Sequence, residues 1–204
     1  MVYFVGAGPG AADLITVRGM RLLQKADVII YAGSLVNPAL LDYAKETCQI
    51  YNSATMTLEE VFAVMLEAEK EGKMTVRLHT GEPSIYGAVR EQMDLLDEKD
   101  IEYESCPGVS ACFGAAASLN LEYTLPDVSQ SLIITRMEGR TKVPPLESIE
   151  RWRGYIDIWL ADLKYVSPAL SAELSAAPDY FAVARPGIEA MMAQAGHPVF
   201  DADG

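Results

Sequence analysis

The feature that most constrains the fold of this chain is an alternation of short apolar runs with helical patterns along its first 126 residues. Each apolar run spans four or five residues, a length typical of buried strands, and each is followed by a segment whose apolar residues recur at helical spacing. This repeat predicts an α/β fold, in which a largely parallel sheet carries helices on both faces. The predicted strands lie at 2–5, 28–31, 48–51, 74–78 and 101–105, and the predicted helices at 14–25, 38–45, 57–71, 86–98 and 112–119.

The pattern changes near residue 126, where the polar stretch LEYTLPDVSQ follows the last of these helices. We therefore expect a first α/β domain over 1–126, followed by an incomplete or atypical second α/β segment over 127–204. The composition shifts again after about residue 150, since both tryptophans, Trp152 and Trp159, lie beyond it. In this half the sequence predicts strands at 131–136, 155–165 and 179–184, a loop at 138–147, and helices at 167–174 and 186–196, the last begun by Pro186.

Composition and charge exclude several classes of function. Half of the 204 residues are apolar, so the chain can bury a core, and its formal net charge of −13 argues against nonspecific binding to nucleic acid. The sequence shows no secretory signal and no apolar run near the ~20 residues of a membrane helix, so we expect a cytoplasmic protein without a membrane partner. The three cysteines lack metal-ligand spacing, which predicts reduced thiols and no metal site.

Four turns rich in small residues follow predicted strands, at 6–10, 32–38, 79–87 and 106–111. The carboxyl ends of parallel strands meet at one edge of a sheet, where ligands usually bind. Because the side chains in these turns are small, recognition would fall to backbone N–H and C=O groups. No lysine of a phosphate-binding loop is present, so such a lining suits a neutral or cationic cofactor better than a polyphosphate.

The first turn, FVGAGPGAADL, resembles a dinucleotide fingerprint only in part. Gly6, Gly8 and Gly10 give Gly-x-Gly-x-Gly, and Ala11 stands where the fingerprint needs its third glycine. The acidic residue expected after the second strand is also absent. These departures disfavour a nicotinamide cofactor and leave open a tight turn that needs glycine for its backbone angles. His79 has no partnered nucleophile, which favours a structural role, so no catalytic residue is assigned.

Several stretches together carry a resemblance to a known family: VYFVGAGPG, YAGSLVNP, SATMTLEEV, VRLHTGEPSIYGA, PGVSA and EYTLPDVSQSLIITRMEGRTKVP. They resemble the S-adenosylmethionine-dependent tetrapyrrole methylases over about residues 2–150. The resemblance implies two α/β domains and a cleft that holds S-adenosylmethionine, largely through backbone groups, and yields S-adenosylhomocysteine. The positions implied to line the cofactor are Pro9, Gly81, Glu82, Ile85, Tyr86, Ser110 and Ala111.

The resemblance also implies a reaction and a substrate. The subfamily-specific stretches are similar to the members that methylate ring carbon C-11 of precorrin-4 or cobalt-precorrin-4 in cobalamin biosynthesis. The implied reaction is direct methyl transfer from a sulfonium to a carbon of a corrin precursor, with the enzyme aligning donor and acceptor. The carboxylates of that tetrapyrrole need positive partners, for which the candidates are Arg77, Arg90, Arg136 and Arg140.

Three departures from the family pattern are visible. The family usually has Gly-Asp-Pro where this chain has Gly10-Ala11-Ala12, and usually has Asp where this chain has Glu82. The third lies after about residue 150, where the start of a second methylase domain joins a segment, 151–204, similar to a fragment of a radical S-adenosylmethionine activating enzyme. The Cys-x-x-x-Cys-x-x-Cys motif of that second family is absent from this chain.

Two hypotheses of different classes follow. The first is an S-adenosylmethionine-dependent C-methyltransferase, and the second is a non-catalytic remnant that binds a tetrapyrrole or a protein partner without turnover. Cofactor affinity distinguishes them. An exposed edge beside the first domain would favour self-association, so a homodimer is expected.

Overall fold

The computed structural model of the chain describes residues 1–126, 130, 132, 134 and 180–195. The chain divides into two units, Met1–Leu119 and Asn120–Gly204. The sequence-based boundary at residue 126, and the second domain that follows it, stay predictions, because most of the residues that would test them lie outside the described ranges.

The first unit is built on a parallel sheet of five strands in the order β3-β2-β4-β1-β5. Each pair of neighbouring strands in this sheet is parallel, as the β-α repeat of the sequence predicts. The α/β fold class is therefore confirmed. The strands are β1 (Val2–Gly6), β2 (Val28–Tyr31), β3 (Gln49–Asn52), β4 (Thr75–His79) and β5 (Tyr103–Cys106), and the helices are α1 (Val17–Lys25), α2 (Leu58–Lys70), α3 (Arg90–Asp97) and α4 (Ala111–Leu119).

Both faces of the sheet are covered. Leu23 of α1 and Leu40 of a 3-10 segment, Pro38–Tyr43, pack on the face that carries Val76 and Leu78 of β4. The opposite face packs against α2 and α3, through a cluster that consists of Val2, Phe4, Val28, Ile30, Val61, Met65, Ala68, Leu96 and Ile101.

Strand β4 is the middle strand, and all five of its residues are buried. Because side chains alternate along a strand, Thr75, Arg77 and His79 share the face opposite Val76 and Leu78. The centre of this sheet therefore contains a polar row inside an otherwise apolar layer.

The ends of two helices follow local hydrogen bonding. Helix α1 begins at Val17 rather than at residue 14, because the Thr16 side chain accepts from the Gly19 N–H at 3.1 Å and Ile15 is extended. Helix α2 has the predicted capping box, in which Thr57 and Glu60 bond reciprocally. Gly72 follows it with a φ of +67°, as expected for a residue that ends a helix.

Helix α3 begins at Arg90, so the prediction of a helix from residue 86 is wrong at its start. Tyr86 and Ala88 have φ values of +54° and +49°, a left-handed conformation that no right-handed helix contains. Their residue types carry no signal for that conformation, which explains why the sequence pattern extends too far.

A fifth helix, α5, spans Tyr180–Ala195 in the second unit. The short strand predicted at 179–184 is therefore wrong, and Pro186 lies inside the helix instead of beginning it. Buried Gly187 and Met191, four residues apart, mark one side of a 16-residue helix, whose continuity outweighs the β-propensity of a six-residue stretch. The elements predicted at 138–147, 155–165 and 167–174, and most of 131–136, lie outside the described residues.

Within the described ranges, no helix is both long enough and apolar enough to cross a bilayer.

Candidate functional site

The glycine-rich turns after β1, β4 and β5 meet at the carboxyl edge of the sheet. Gly8 and Gly81 pair as an antiparallel bridge, with Gly81 N–H donating to the Gly8 carbonyl at 2.9 Å and Gly8 N–H to the Gly81 carbonyl at 3.3 Å. One residue earlier, the Ala7 N–H donates to the His79 carbonyl at 2.7 Å. These bonds extend the pairing of β1 and β4 beyond the strands and hold the first and third turns together.

Two glycines at this junction, Gly6 and Gly108, leave no room for a side chain. A Cβ on Gly6 would lie 2.5 Å from the Gly108 Cα, and a Cβ on Gly108 would lie 2.2 Å from the Gly81 carbonyl oxygen. Both distances are shorter than any nonbonded contact between such atoms. The three turns therefore touch backbone to backbone, and only glycine permits that approach.

Gly81 differs from its two neighbours because one side of it is open. Its φ is +61°, and a Cβ built on it would come no nearer than 3.7 Å to the Ala111 nitrogen and 3.9 Å to the Ser110 Cα. A small cradle thus lies between the third turn and the turn that begins α4. Three of the residues predicted to line a cofactor, Gly81, Ser110 and Ala111, come together here.

Pro9 approaches the same region from the first turn. A Cβ on Gly114 of α4 would lie 2.6 Å from the Pro9 Cβ, so the ring of Pro9 packs directly on that helix. Ile85 and Tyr86 lie farther along the third turn, where Ile85 is half-buried and the Tyr86 side chain is exposed. The Ile85 N–H donates to the Glu82 carbonyl at 3.1 Å.

Glu82 links two turns through its carboxylate. One oxygen accepts from the Ser84 N–H at 2.9 Å and the other from the Gly108 N–H at 2.8 Å. Partial burial raises the pKa of Glu82, but hydrogen bonds from these two N–H groups and from the Ser84 side chain together lower it by more, so its pKa lies below the ordinary value. The Glu82 carboxylate therefore joins the third turn to the turn after β5.

Asn37 was not singled out from the sequence, although it lies in the second small-residue turn. Its Nδ2 donates to the Gly10 carbonyl at 2.8 Å, and its Oδ1 accepts from the Ala39 N–H at 3.0 Å. The second bond caps the 3-10 segment, and an asparagine followed by proline was the available sequence signal. The first bond ties the second turn to the first.

His79 is buried at the end of β4 with only 5% of its surface exposed. Burial, together with the nearby charge of Arg77, lowers the pKa of His79 to about 3, so the imidazole is neutral at pH 7. A group with that pKa is poorly matched to general-base chemistry near neutrality.

The arginines proposed to hold substrate carboxylates have different environments. Arg77 is buried and donates to Gln92 and Ile30, so a ligand would have to displace those bonds. Arg90 is exposed and pairs with Asp94 and Asp97. Arg136 and Arg140 lie outside the described residues.

Across the described part of the chain, no cluster of three or more His, Cys, Asp or Glu side chains could hold a metal ion.

Comparison with known proteins gives consistent results. Residues 1–189 match the family described as tetrapyrrole (corrin/porphyrin) methylases. A cobalt-precorrin-4 C(11)-methyltransferase of Methanocaldococcus jannaschii is 57% identical over 148 residues, which cover 72% of this chain and 57% of that relative. The chain thus spans little more than half the length of this curated relative. The family match extends past residue 150, and the origin predicted for 151–204 stays a prediction.

Two solved structures extend the similarity to three dimensions. The X-ray structure of a cobalt precorrin-4 methyltransferase, described as a cobalamin biosynthetic enzyme, matches with a TM-score of 0.72 and 42% identity, over 90% of this chain and 74% of that one. A uroporphyrin-III C-methyltransferase from Thermus thermophilus, complexed with S-adenosylhomocysteine, matches with a TM-score of 0.53 and 30% identity, over 64% of this chain and 56% of that one.

Proposed function

We propose that this chain, which belongs to the tetrapyrrole (corrin/porphyrin) methylases, binds S-adenosylmethionine at the carboxyl edge of its sheet and transfers the methyl group to a corrin precursor. The proposed substrate is precorrin-4 or cobalt-precorrin-4 and the proposed acceptor is ring carbon C-11, by similarity to the relative named for that reaction. The place of the reaction would be cobalamin biosynthesis.

The observation that carries the proposal is the backbone junction of Gly6, Gly81 and Gly108, together with the open side of Gly81. A Cβ at Gly81 would enter the cradle, so the lack of a side chain here leaves that space open to a ligand. Most of the groups around the cradle are uncharged backbone atoms, which suits a cofactor of low net charge. The residues present therefore fit the group that the family uses.

The chain's own residues would bind and orient that cofactor. The Ala111 nitrogen is the nearest atom to the open side of Gly81, and N–H groups in the first turn of a helix lack partners within the helix. These N–H groups, in the turn shared by Ser110 and Ala111, would donate to an oxygen of the ligand. Pro9, Glu82, Ile85 and Tyr86 would complete the lining or fix its shape. When bound, S-adenosylmethionine supplies a methyl group on an electron-poor sulfonium.

The first experiment is calorimetric titration of the purified full chain with S-adenosylhomocysteine. We expect saturable binding with a dissociation constant of about 1–100 μM, corresponding to about 5–8 kcal/mol. A protein that unfolds cooperatively but shows no binding would overturn the proposal.

A methyl-transfer assay on precorrin-4 and cobalt-precorrin-4 then separates the enzyme from the non-catalytic alternative. Transfer of labelled methyl to the corrin supports the methyltransferase. Cofactor binding without transfer to either substrate would favour a protein that holds a tetrapyrrole or a partner without turnover.

We also propose a homodimer and a cytoplasmic location, as expected from the sequence. Multi-angle light scattering tests the first proposal, and a monodisperse monomer would contradict it.

A further inference from the structure

A buried arginine in the middle of the sheet is not among the residues proposed above to line the cofactor site. Arg77 of β4 is only 7% exposed, and among the described residues no acidic side chain forms an ion pair with it. Its Nε donates to Gln92 Oε1 at 3.0 Å, and Nη1 donates to the Ile30 carbonyl at 3.1 Å. Burying a charge without partners costs free energy, and here neutral oxygen acceptors, rather than a carboxylate, provide the hydrogen bonds that offset this cost.

Gln92 connects that arginine to the turn before α3. Its side chain is only 5% exposed, and its Nε2 donates to the Ala88 carbonyl at 3.0 Å. The orientation of the amide is determined by its neighbours. A guanidinium can only donate and a carbonyl can only accept, so the oxygen of Gln92 must face Arg77 and its NH2 must face Ala88.

Ala88, whose carbonyl accepts the hydrogen bond from Gln92, is held in an unfavourable backbone conformation. Ala88 and Tyr86 both have left-handed φ values, which residues with a Cβ rarely adopt unless surrounding contacts impose them. The same turn contains Glu82, whose carboxylate bonds to Gly108, and Tyr86, which is predicted to line the cofactor. The turn is therefore fixed at its start by Glu82 and near its end by Gln92.

We infer that Arg77 and Gln92 are positioning residues, which hold the turn at 82–89 in the form that binds the cofactor. The inference rests on the proposed function for its second half, because it assigns a role toward that same site. Arg77 orients the amide of Gln92, and the amide holds Ala88 in the left-handed form. Neither residue touches the cofactor.

Replacement of Gln92 by glutamate tests the hydrogen bond from Gln92 to the Ala88 carbonyl without removing the partner of Arg77. The carboxylate of Gln92→Glu still accepts from the guanidinium, but it cannot donate to the Ala88 carbonyl and repels it. The matched control is Gln24→Glu, the same change at an exposed glutamine of α1. Gln92→Met, which has neither donor nor acceptor, repeats the test if Gln92→Glu does not fold.

Two readouts are needed. Hydrogen exchange, followed by mass spectrometry, reports the turn directly, and we expect peptides covering 82–90 to exchange faster in Gln92→Glu than in Gln24→Glu. Calorimetry with S-adenosylhomocysteine reports the site, and we expect about tenfold weaker binding, the size of one lost hydrogen bond. The melting temperature should stay within about 5 °C of wild type, because the buried charge keeps its partner.

Each contrary result has a distinct meaning. Unchanged exchange in 82–90 would overturn the role of Gln92 in the turn. Faster exchange with unchanged affinity would overturn the role of the turn in cofactor binding. If the wild-type chain itself does not bind S-adenosylhomocysteine, the proposed function fails. Hydrogen exchange alone then decides whether Gln92 fixes the turn at 82–89.

Discussion

Gly81 and Gly72 have nearly the same backbone conformation but lie beyond opposite ends of β4. Their φ values are +61° and +67°, so an alanine at either position meets a similar conformational cost of about 1 kcal/mol. Nothing lies within 4 Å of a Cβ on Gly72, whereas a Cβ on Gly81 enters the cradle beside Ser110 and Ala111. The pair therefore separates loss of stability from loss of a ligand site.

We predict that Gly81→Ala and Gly72→Ala lower the free energy of unfolding by similar amounts, about 1 kcal/mol each. Only Gly81→Ala should weaken S-adenosylhomocysteine binding, by about tenfold or more, because its methyl group occupies ligand space. Denaturant unfolding and calorimetry on both variants check this. Equal affinities of the two variants would show that Gly81 serves the fold alone.

Glu82 gives a prediction in pH as well as in sequence. Partial burial raises its pKa, but hydrogen bonds from the N–H groups of Ser84 and Gly108 and from the Ser84 side chain outweigh this, so the pKa lies below the ordinary value of 4.5. A folded-state pKa below the unfolded one means that the carboxylate stabilises the protein above about pH 4.5, and that this contribution disappears as pH falls through the folded-state value. We therefore expect Glu82→Gln to lose about 1–2 kcal/mol at pH 7 and to show a shallower loss of stability in acid.

Urea unfolding of wild type and Glu82→Gln between pH 7 and pH 3 measures this difference. Glu60→Gln is the matched control, since its carboxylate also accepts a backbone N–H, from Thr57, and glutamine serves equally in a capping box. Parallel pH profiles for wild type and Glu82→Gln would contradict the prediction.

At the scale of the secondary-structure elements, the turn before α3 is fixed by bonds to other parts of the fold. Ala88 has a φ of +49°, which costs conformational free energy for a residue with a Cβ. Ala63, exposed in α2, has the helical conformation that alanine favours. Glycine should thus have opposite effects at the two positions. We predict that Ala88→Gly raises the free energy of unfolding by about 0.5–1 kcal/mol and that Ala63→Gly lowers it by about 1 kcal/mol.

Thermal unfolding of the two variants checks the signs, which matter more than the magnitudes. A destabilised Ala88→Gly would mean that the left-handed turn carries little strain. Its affinity for S-adenosylhomocysteine should stay near that of wild type, because Gln92 bonds to the carbonyl of residue 88 and not to its side chain.

The same turn shows what sequence patterns could and could not predict. The five strands follow from short apolar runs, and the start of α2 follows from Thr57 and Glu60, because in each case the determining interactions are local. The junction at Gly6, Gly81 and Gly108 was predicted as a shared edge, since parallel strands end together. The left-handed residues at 86 and 88 could not be predicted, because the turn that contains them is fixed by bonds to residues distant in sequence. Glu82 accepts from the Gly108 N–H, and Gln92 accepts from Arg77.

The seven cofactor positions came from family resemblance, and the structure adds a physical reason for some of them. Gly81, Ser110 and Ala111 surround one cradle, and Pro9 packs on the helix that begins there. Glu82 was predicted as a lining residue, but its carboxylate already has two backbone partners. Its proposed contribution to the site is therefore to fix two turns, a role that a resemblance does not reveal.

For the chain as a whole, net charge sets the conditions under which a polyanionic substrate can bind. The formal charge is −13, and the carboxylates of a tetrapyrrole would be repelled over distances that depend on salt. The screening length falls from ~30 Å at 0.01 M to ~8 Å at 0.15 M salt, so repulsion between separated charges is largely removed over this range. S-adenosylhomocysteine carries little net charge, so its affinity should be insensitive to the same change in salt concentration.

We predict that a porphyrin bearing several carboxylates binds the chain a few-fold more weakly at 10 mM than at 150 mM sodium chloride. Absorbance titration of the porphyrin gives its affinity, and calorimetry with S-adenosylhomocysteine under both conditions is the control, with an expected change below about twofold. Tighter porphyrin binding at low salt would mean that a local group of basic residues outweighs the overall charge. In that case Arg90, which is exposed at the start of α3, is the first residue to replace. Its guanidinium could bind a ligand carboxylate in place of Asp94 and Asp97.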